Sequence, residues 1–199
     1  MKKLHMLATA AALITLPISQ AWAYRVDLYS AASMNNLAQA NAAIAGGPLT
    51  ATANVSVIEF DDLGDGTRGL FSVNNAFPGG LNTNFAAHVT GNFYVDIAGT
   101  WTFGINHDDG ARLMIDGALV AIADGEVDNR NTLITNSFAV GLHTVDIVYF
   151  ETGGGASLEF FGARGTAAFQ LVQSVPEPTT LALVGLGLLG AVAARRKRG

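Results

Sequence analysis

The chain has 199 residues, half of them hydrophobic, with 23 glycines and no cysteine, which suits one domain with its own core plus short appendages. Basic residues gather at the two ends: between Tyr24 and Pro178, five arginines and no lysine stand against sixteen carboxylates, a net charge of −11. So acidic a body has nothing with which to neutralise phosphates, which disfavours nucleic-acid partners. The lack of cysteine excludes disulfides as the stabiliser.

Residues 1–23 carry Lys2 and Lys3, then an apolar run over 7–18, then Ala21-Trp22-Ala23. This is the layout of a secretory signal peptide cut at a small-x-small site, with Tyr24 the first mature residue. Residues 24–53 are expected as a lead-in, with a strand over 24–28 and a short helix within 31–45. That helix offers only Leu37, Ala40 and Ile44 to a buried face and ends at Gly46-Gly47-Pro48. Strands are expected over 55–60 and 67–73. Between them Asp61-Asp62-Leu63-Gly64-Asp65-Gly66 reads as a polar turn, because an EF-hand loop needs a glutamate at its twelfth position and this one has none. A surface loop around Pro78-Gly79-Gly80 leads to a long strand over 85–97, with Val89, Phe93, Val95 and Ile97 inward and an irregularity at Gly91.

Residues 100–117, T-W-T-F-G-I-N-H-D-D-G-A-R-L-M-I-D-G, are the stretch around which the rest is arranged. Trp101, Phe103 and Ile105 alternate with small or polar residues, the period of two of a half-buried strand. The alternation stops at Asn106, resumes at Ala111, and leaves Asp108 and Asp109 side by side in the connection. Adjacent carboxylates repel unless hydrated or shared by a cation, and Ca²⁺, which takes carboxylate, carbonyl and water oxygens in flexible geometry, is the natural guest. The plain alternative is a solvated turn in which Gly110 supplies a positive φ and Asp109 caps the backbone.

After the hairpin turn Asp116-Gly117, residues 123–131 form a polar loop holding Asn129 and Arg130, expected either as plain exposed surface or as a wall facing the aspartates. Strands over 133–140, 142–150, 157–161 and 167–172 follow, separated by Gly141 and Gly153-Gly154-Gly155. About ten short strands with little helix predict an all-β, antiparallel β-sandwich over 54–173. Residues 174–199 comprise Val175-Pro176-Glu177-Pro178, an apolar stretch over 179–194 and the basic cluster 195–198. Sixteen residues make a helix of about 24 Å, short of a hydrocarbon core of about 30 Å. Snorkelling arginines and local thinning accommodate the difference, and the basic cluster stays cytoplasmic.

Two resemblances follow from these motifs. W-T-F-x-I-x-x-D-D-G-x-R-L-x-I-D-G, with G-L-H-T-V-D-I-V-Y-F-E over 141–151 and G-G-A-S-L-E-F over 154–160, resembles the signature of the PA14 family, a β-sandwich module of toxins, glycosidases and adhesins. The resemblance implies that Asp108 and Asp109, joined by a cis peptide, hold Ca²⁺, which in turn ligates sugar hydroxyls. Asn129 and Arg130 join them as candidate carbohydrate contacts. The adhesins' second ligand loop corresponds here to Gly153-Gly154-Gly155, which has no side-chain ligand and offers only carbonyls such as that of Gly154. The C-terminal segment resembles the PEP-CTERM sorting signal of Gram-negative bacteria, with Val175, Pro176, Glu177 and Pro178 as the motif. That implies recognition by an exosortase, a membrane-tethered intermediate, and delivery to the cell surface or extracellular matrix.

No G-x-S-x-G, H-E-x-x-H, P-loop or cysteine nucleophile is present, and His88, His107 and His143 have no nucleophile or zinc-ligand spacing beside them. The expected function is therefore non-catalytic: a surface or biofilm-matrix protein with a calcium-dependent carbohydrate module, or a matrix protein whose aspartates only brace the sandwich.

Overall fold

The computed structural model describes residues 24–62, 69–71, 75–127 and 130–175. The signal peptide, the sorting motif beyond Val175 and the apolar stretch over 179–194 lie outside them. Among the described residues no helix is long and apolar enough to cross a membrane.

Two antiparallel sheets face each other. The first contains β1 (Tyr24–Ser30), β2 (Leu49–Val55), β4 (Phe85–Val95), β6 (Gly110–Ile115), β7 (Ala118–Ala123) and β9 (Gly141–Glu151), in the order β2-β1-β4-β9-β6-β7. The second runs β11-β10-β5-β8, from β5 (Gly99–Asp108), β8 (Arg130–Phe138), β10 (Ser157–Arg164) and β11 (Gln170–Leu171). Here β3 (Glu59–Asp61) adds to β10. Strand alternation explains the core between them. Tyr24, Val26 and Leu28 of β1, Val89 and Phe93 of β4, Phe103 and Ile105 of β5, and Leu158 and Phe160 of β10 all turn inward into one cluster. Its centre is aromatic: Phe103 lies 5.1 Å from Phe93 and 4.9 Å from Phe138 between ring centroids, both edge-on. Such pairs add about 0.5–1.5 kcal/mol each beyond the area they bury.

The helix α1 (Leu37–Gly46) is capped by Asn36, whose side chain accepts from the Gln39 N–H. It lays Leu37 and Ala40 over one end of the outer face of the first sheet, against Ala86, Val148 and Phe150. Its first N–H donates to the Asp124 carboxylate at 2.7 Å, a charge placed where the helix dipole favours it.

Several expectations need correction. The 24–53 segment does not precede the sheet: β1 sits between β2 and β4, because three of its alternating positions are fully buried. The strand expected over 55–60 is two strands, β2 and β3, belonging to different sheets, with a break at 56–58. Of the strand expected over 67–73, residues 69–71 form a bend and the others lie outside the described residues. β4 pairs with β9 without irregularity at Gly91, and Ile97 is exposed in the turn beyond the strand's end. Arg130 and Asn131 are not loop residues but open β8, opposite His107 and Asn106.

The connection expected over 106–110 also turns out differently. β5 continues through Asp108 and β6 begins at Gly110, so Asp109 alone spans the step from the second sheet to the first. Polar residues remain strand here because they satisfy each other inside: Asn106 Nδ2 donates to Asn131 Oδ1 at 2.9 Å, and Asn106 Oδ1 accepts from Ser157 Oγ at 3.1 Å. Gly110 is required by contact rather than by its torsion, since a Cβ there would stand 2.3 Å from Phe150 Cε1.

Candidate functional site

Where the chain steps between sheets, the Asp108–Asp109 peptide is cis. Asp108, Asp109 and Glu151 each bring a carboxylate oxygen within 4.8 Å of the others, and all three residues are buried. Glu151 is the last residue of β9, delivered by the alternation that also buries Tyr149.

Asp109 is held tightly. Its Oδ1 accepts the Val127 N–H at 3.1 Å and its Oδ2 the Thr152 N–H at 2.8 Å, so the loops after β7 and after β9 both hang on one carboxylate. Its carbonyl accepts from His107 Nδ1 at 2.6 Å, while His107 Nε2 lies 2.8 Å from Thr132 Oγ1. Burial, the main influence on His107, lowers its pKa. The neutral ring therefore carries its proton on Nδ1, and Nε2 accepts from the threonine hydroxyl. His107 is thus a hydrogen-bonded strand-end histidine that orients the Asp109 carbonyl.

Glu151 is less well served. Its Oε2 lies 3.1 Å from the Tyr149 hydroxyl, which also reaches the Asp108 carbonyl. Its Oε1 is buried without a partner in hydrogen-bond geometry, although the Gly153 N–H faces the carboxylate and offsets a little of the cost. Burial first, then the charges of Asp109 and Asp108, push the Glu151 carboxyl up to about 8. Three hard oxygen donors around one point, one of them orphaned, match the ligand chemistry of Ca²⁺.

The other candidates from sequence fall as follows. Arg130 is exposed at the start of β8. Gly154, at φ +102°, stands in the loop that Thr152 anchors to Asp109. Val175 is described, whereas Asn129, Pro176, Glu177 and Pro178 lie outside the described residues. Sequence reasoning assigned no role to Glu151. The available signal was an acid ending the otherwise apolar run V-Y-F-E, in a strand whose register sets it opposite Phe85.

A model of the PA14 domain matches residues 71–170. The chain belongs to the PA14 family. A second family model, the PEP-CTERM protein-sorting motif, matches residues 174–198, and a sorting signal of that kind implies an exported, extracellular or cell-surface protein. No curated protein matches the chain. Among solved structures, the PA14 domain of the antifreeze protein MpAFP is similar at 22% identity and TM-score 0.63, covering 84% of this chain and 98% of its own. The PA14 sugar-binding domain of an RTX adhesin is similar at 22% identity and TM-score 0.60, covering 78% and 99%. The A domain of epithelial adhesin 6 from Candida glabrata, solved with Galb1-3GlcNAc, is 14% identical with TM-score 0.57, covering 81% and 91%. At these identities the likeness establishes the PA14 fold.

Proposed function

We propose that the chain is an exported surface or matrix protein whose PA14 module binds glycans through Ca²⁺ held by Asp108, Asp109 and Glu151. The observation that carries this reading is the convergence of three buried carboxylates, with Glu151 Oε1 in no well-formed hydrogen bond among the described residues. A bound divalent cation relieves both the repulsion and the orphaned oxygen, and it supplies open coordination positions for vicinal sugar hydroxyls. The loop bearing Gly154, together with Arg130 at the start of β8, forms the rim against which a sugar is selected, and Asn129, outside the described residues, is a further candidate contact. The sugar-binding PA14 domain of the RTX adhesin and the disaccharide complex of epithelial adhesin 6 support the same assignment.

In this reading residues 1–23 are removed on export. The apolar 179–194 stretch tethers an intermediate to the inner membrane, and an exosortase acts at Val175-Pro176-Glu177-Pro178 before release to the surface or biofilm matrix. Binding of labelled glycans on an array, with Ca²⁺ and again with excess chelator, tests the central claim: chelator-insensitive binding, or none with Ca²⁺ bound, removes the calcium-dependent sugar site.

One observation favours a second reading. Both Asp109 side-chain oxygens already accept backbone N–H groups, as expected of a carboxylate that braces two loops in a structural matrix protein. Ca²⁺ binding without a glycan hit selects this reading.

A further inference from the structure

The outer face of the first sheet is only half covered. Helix α1 lies over Ala86, Val148 and Phe150. The remaining part is a groove of about 610 Å³, whose walls include Arg25 on β1, Thr90 on β4, Arg112 on β6, Asp146 on β9 and Val175. Two of the five arginines between Tyr24 and Pro178 line it, from β1 and β6. Arg25 gives its Nε to Asp27 Oδ2 at 2.7 Å and is otherwise more than half exposed. Arg112 gives Nη2 to Asp146 Oδ1 at 3.0 Å, the other oxygen of Asp146 being 2.9 Å from His88 Nε2. Arg25 and Arg112 each commit one N–H to an aspartate, and a guanidinium has five N–H donors in a fixed fork. The groove therefore offers donors for one further carboxylate.

The course of the backbone suggests where that carboxylate comes from. Ser174 bridges Phe93, the Ser174 N–H donates to the Ser56 carbonyl at 2.8 Å, and the Val175 N–H donates to the Asn92 carbonyl at 3.0 Å. The β9 side of β4 is already paired at Asn92 and Phe93, so this short run lies in the lane beside β4 that β1 fills from Arg25 onward. Straight continuation beyond Val175 is blocked by β1, the inward side is filled by core, and the surface at hand is the groove that Val175 lines. Glu177 follows two residues later, a reach of about 7 Å in extended chain. Pro176 and Pro178 disfavour helix at the residues before them, which lowers the ordering cost of laying the segment down.

We propose that this groove is the receptor for the chain's own sorting motif, with the Glu177 carboxylate seated between Arg25 and Arg112. The folded module then holds Val175-Pro176-Glu177-Pro178 against its flank, so access of a sorting enzyme to the motif depends on ionic strength and on the integrity of the first sheet. The assignment rests on the matched sorting motif and the groove, and is independent of calcium or sugar.

The test uses the full-length chain in detergent micelles, where the absence of native cysteine lets two engineered thiols report proximity. Thr90→Cys on the groove wall and Thr179→Cys just past the motif should close an intramolecular disulfide at least about tenfold faster than Thr135→Cys on the outer face of the second sheet paired with Thr179→Cys, reflecting the higher effective concentration. Glu177→Gln should bring the fast pair down to the control rate, as should Arg25→Gln combined with Arg112→Gln, with a circular-dichroism melt of each variant matching wild type. Equal rates for the two pairs overturn the proposal, and so does a fast rate that ignores Glu177→Gln. Intermolecular disulfides alone, seen as dimers on a non-reducing gel, overturn it in favour of a second copy in the groove.

Discussion

Substituting Glu151 by glutamine separates the cation site from a merely structural carboxylate cluster. At 4.8 Å and an effective dielectric near 20, each like-charged pair costs about 3.5 kcal/mol, so Glu151 ionised beside two aspartates is strongly penalised. Without a cation its carboxyl, pushed up to about 8 chiefly by burial, keeps its proton at neutral pH. In chelator near pH 7 the amide replaces a neutral acid of the same shape and is spared the proton that wild type must take up on folding, so the variant should melt no lower than wild type and somewhat higher. With Ca²⁺ at a hundred times its dissociation constant, the wild type gains about 2.7 kcal/mol, a rise in Tm of roughly 5–10 °C for a domain of this size. Glu151→Gln removes one of three anionic ligands and should lose most of that rise. The assay is a pair of calorimetric melts, in EDTA and in Ca²⁺, for both proteins. If the variant retains the full Ca²⁺ increment, Glu151 is no ligand. If it melts several degrees lower in EDTA, its role is to brace the strand end.

Three further outcomes follow from the packing. Gly110→Ala should destabilise by about 1–3 kcal/mol, because the new Cβ meets Phe150 Cε1 at 2.3 Å and the Ala123 carbonyl at 3.0 Å; a urea midpoint within error of wild type would show that the strand yields freely. Phe103→Ala, at the centre of the aromatic cluster and 1% exposed, should cost about 3–5 kcal/mol, and a smaller loss measured by urea unfolding would mean the sandwich collapses onto the gap. Glu59, buried on β3, has its carboxyl raised from 4.5 to about 7, chiefly by burial and further by Glu159 and Asp61. The native state thus keeps a proton that the unfolded chain releases, so this contribution is whole below pH 4.5 and is lost as pH rises through 7. Tm should fall between pH 5 and pH 8, and Glu59→Gln should flatten that slope; an unchanged slope refutes the assignment.

The sandwich was legible because its strands obey period two wherever one face is buried: Phe103 and Ile105, Val89 and Phe93, and Leu158 and Phe160 announce themselves. It was illegible where burial and polarity part company. Asn106 and His107 look like loop residues, yet they are strand residues satisfied by Asn131, Ser157 and Thr132, contacts that arise only once β8 and β10 are alongside. β2 escaped notice because L-T-A-T-A-N-V is an edge strand with much of its surface in water. The aspartate pair could be singled out from its own repulsion, which is local. Glu151 could not, because its proximity is created by β9 running antiparallel to β6, bringing residue 150 opposite 110.

Because Asp109 grips Val127 and Thr152 through their backbone amides, its hold on those two loops does not depend on which side chains the loops carry. Where the loop backbone is ordinary, composition is free to drift while the anchor points stay put; Gly125 and Gly154, at φ +120° and +102°, must stay glycine. A library that randomises Glu126 and Gly153 and keeps those two glycines should therefore fold about as often as the parent, making this rim a place to graft new recognition onto an unchanged pair of sheets.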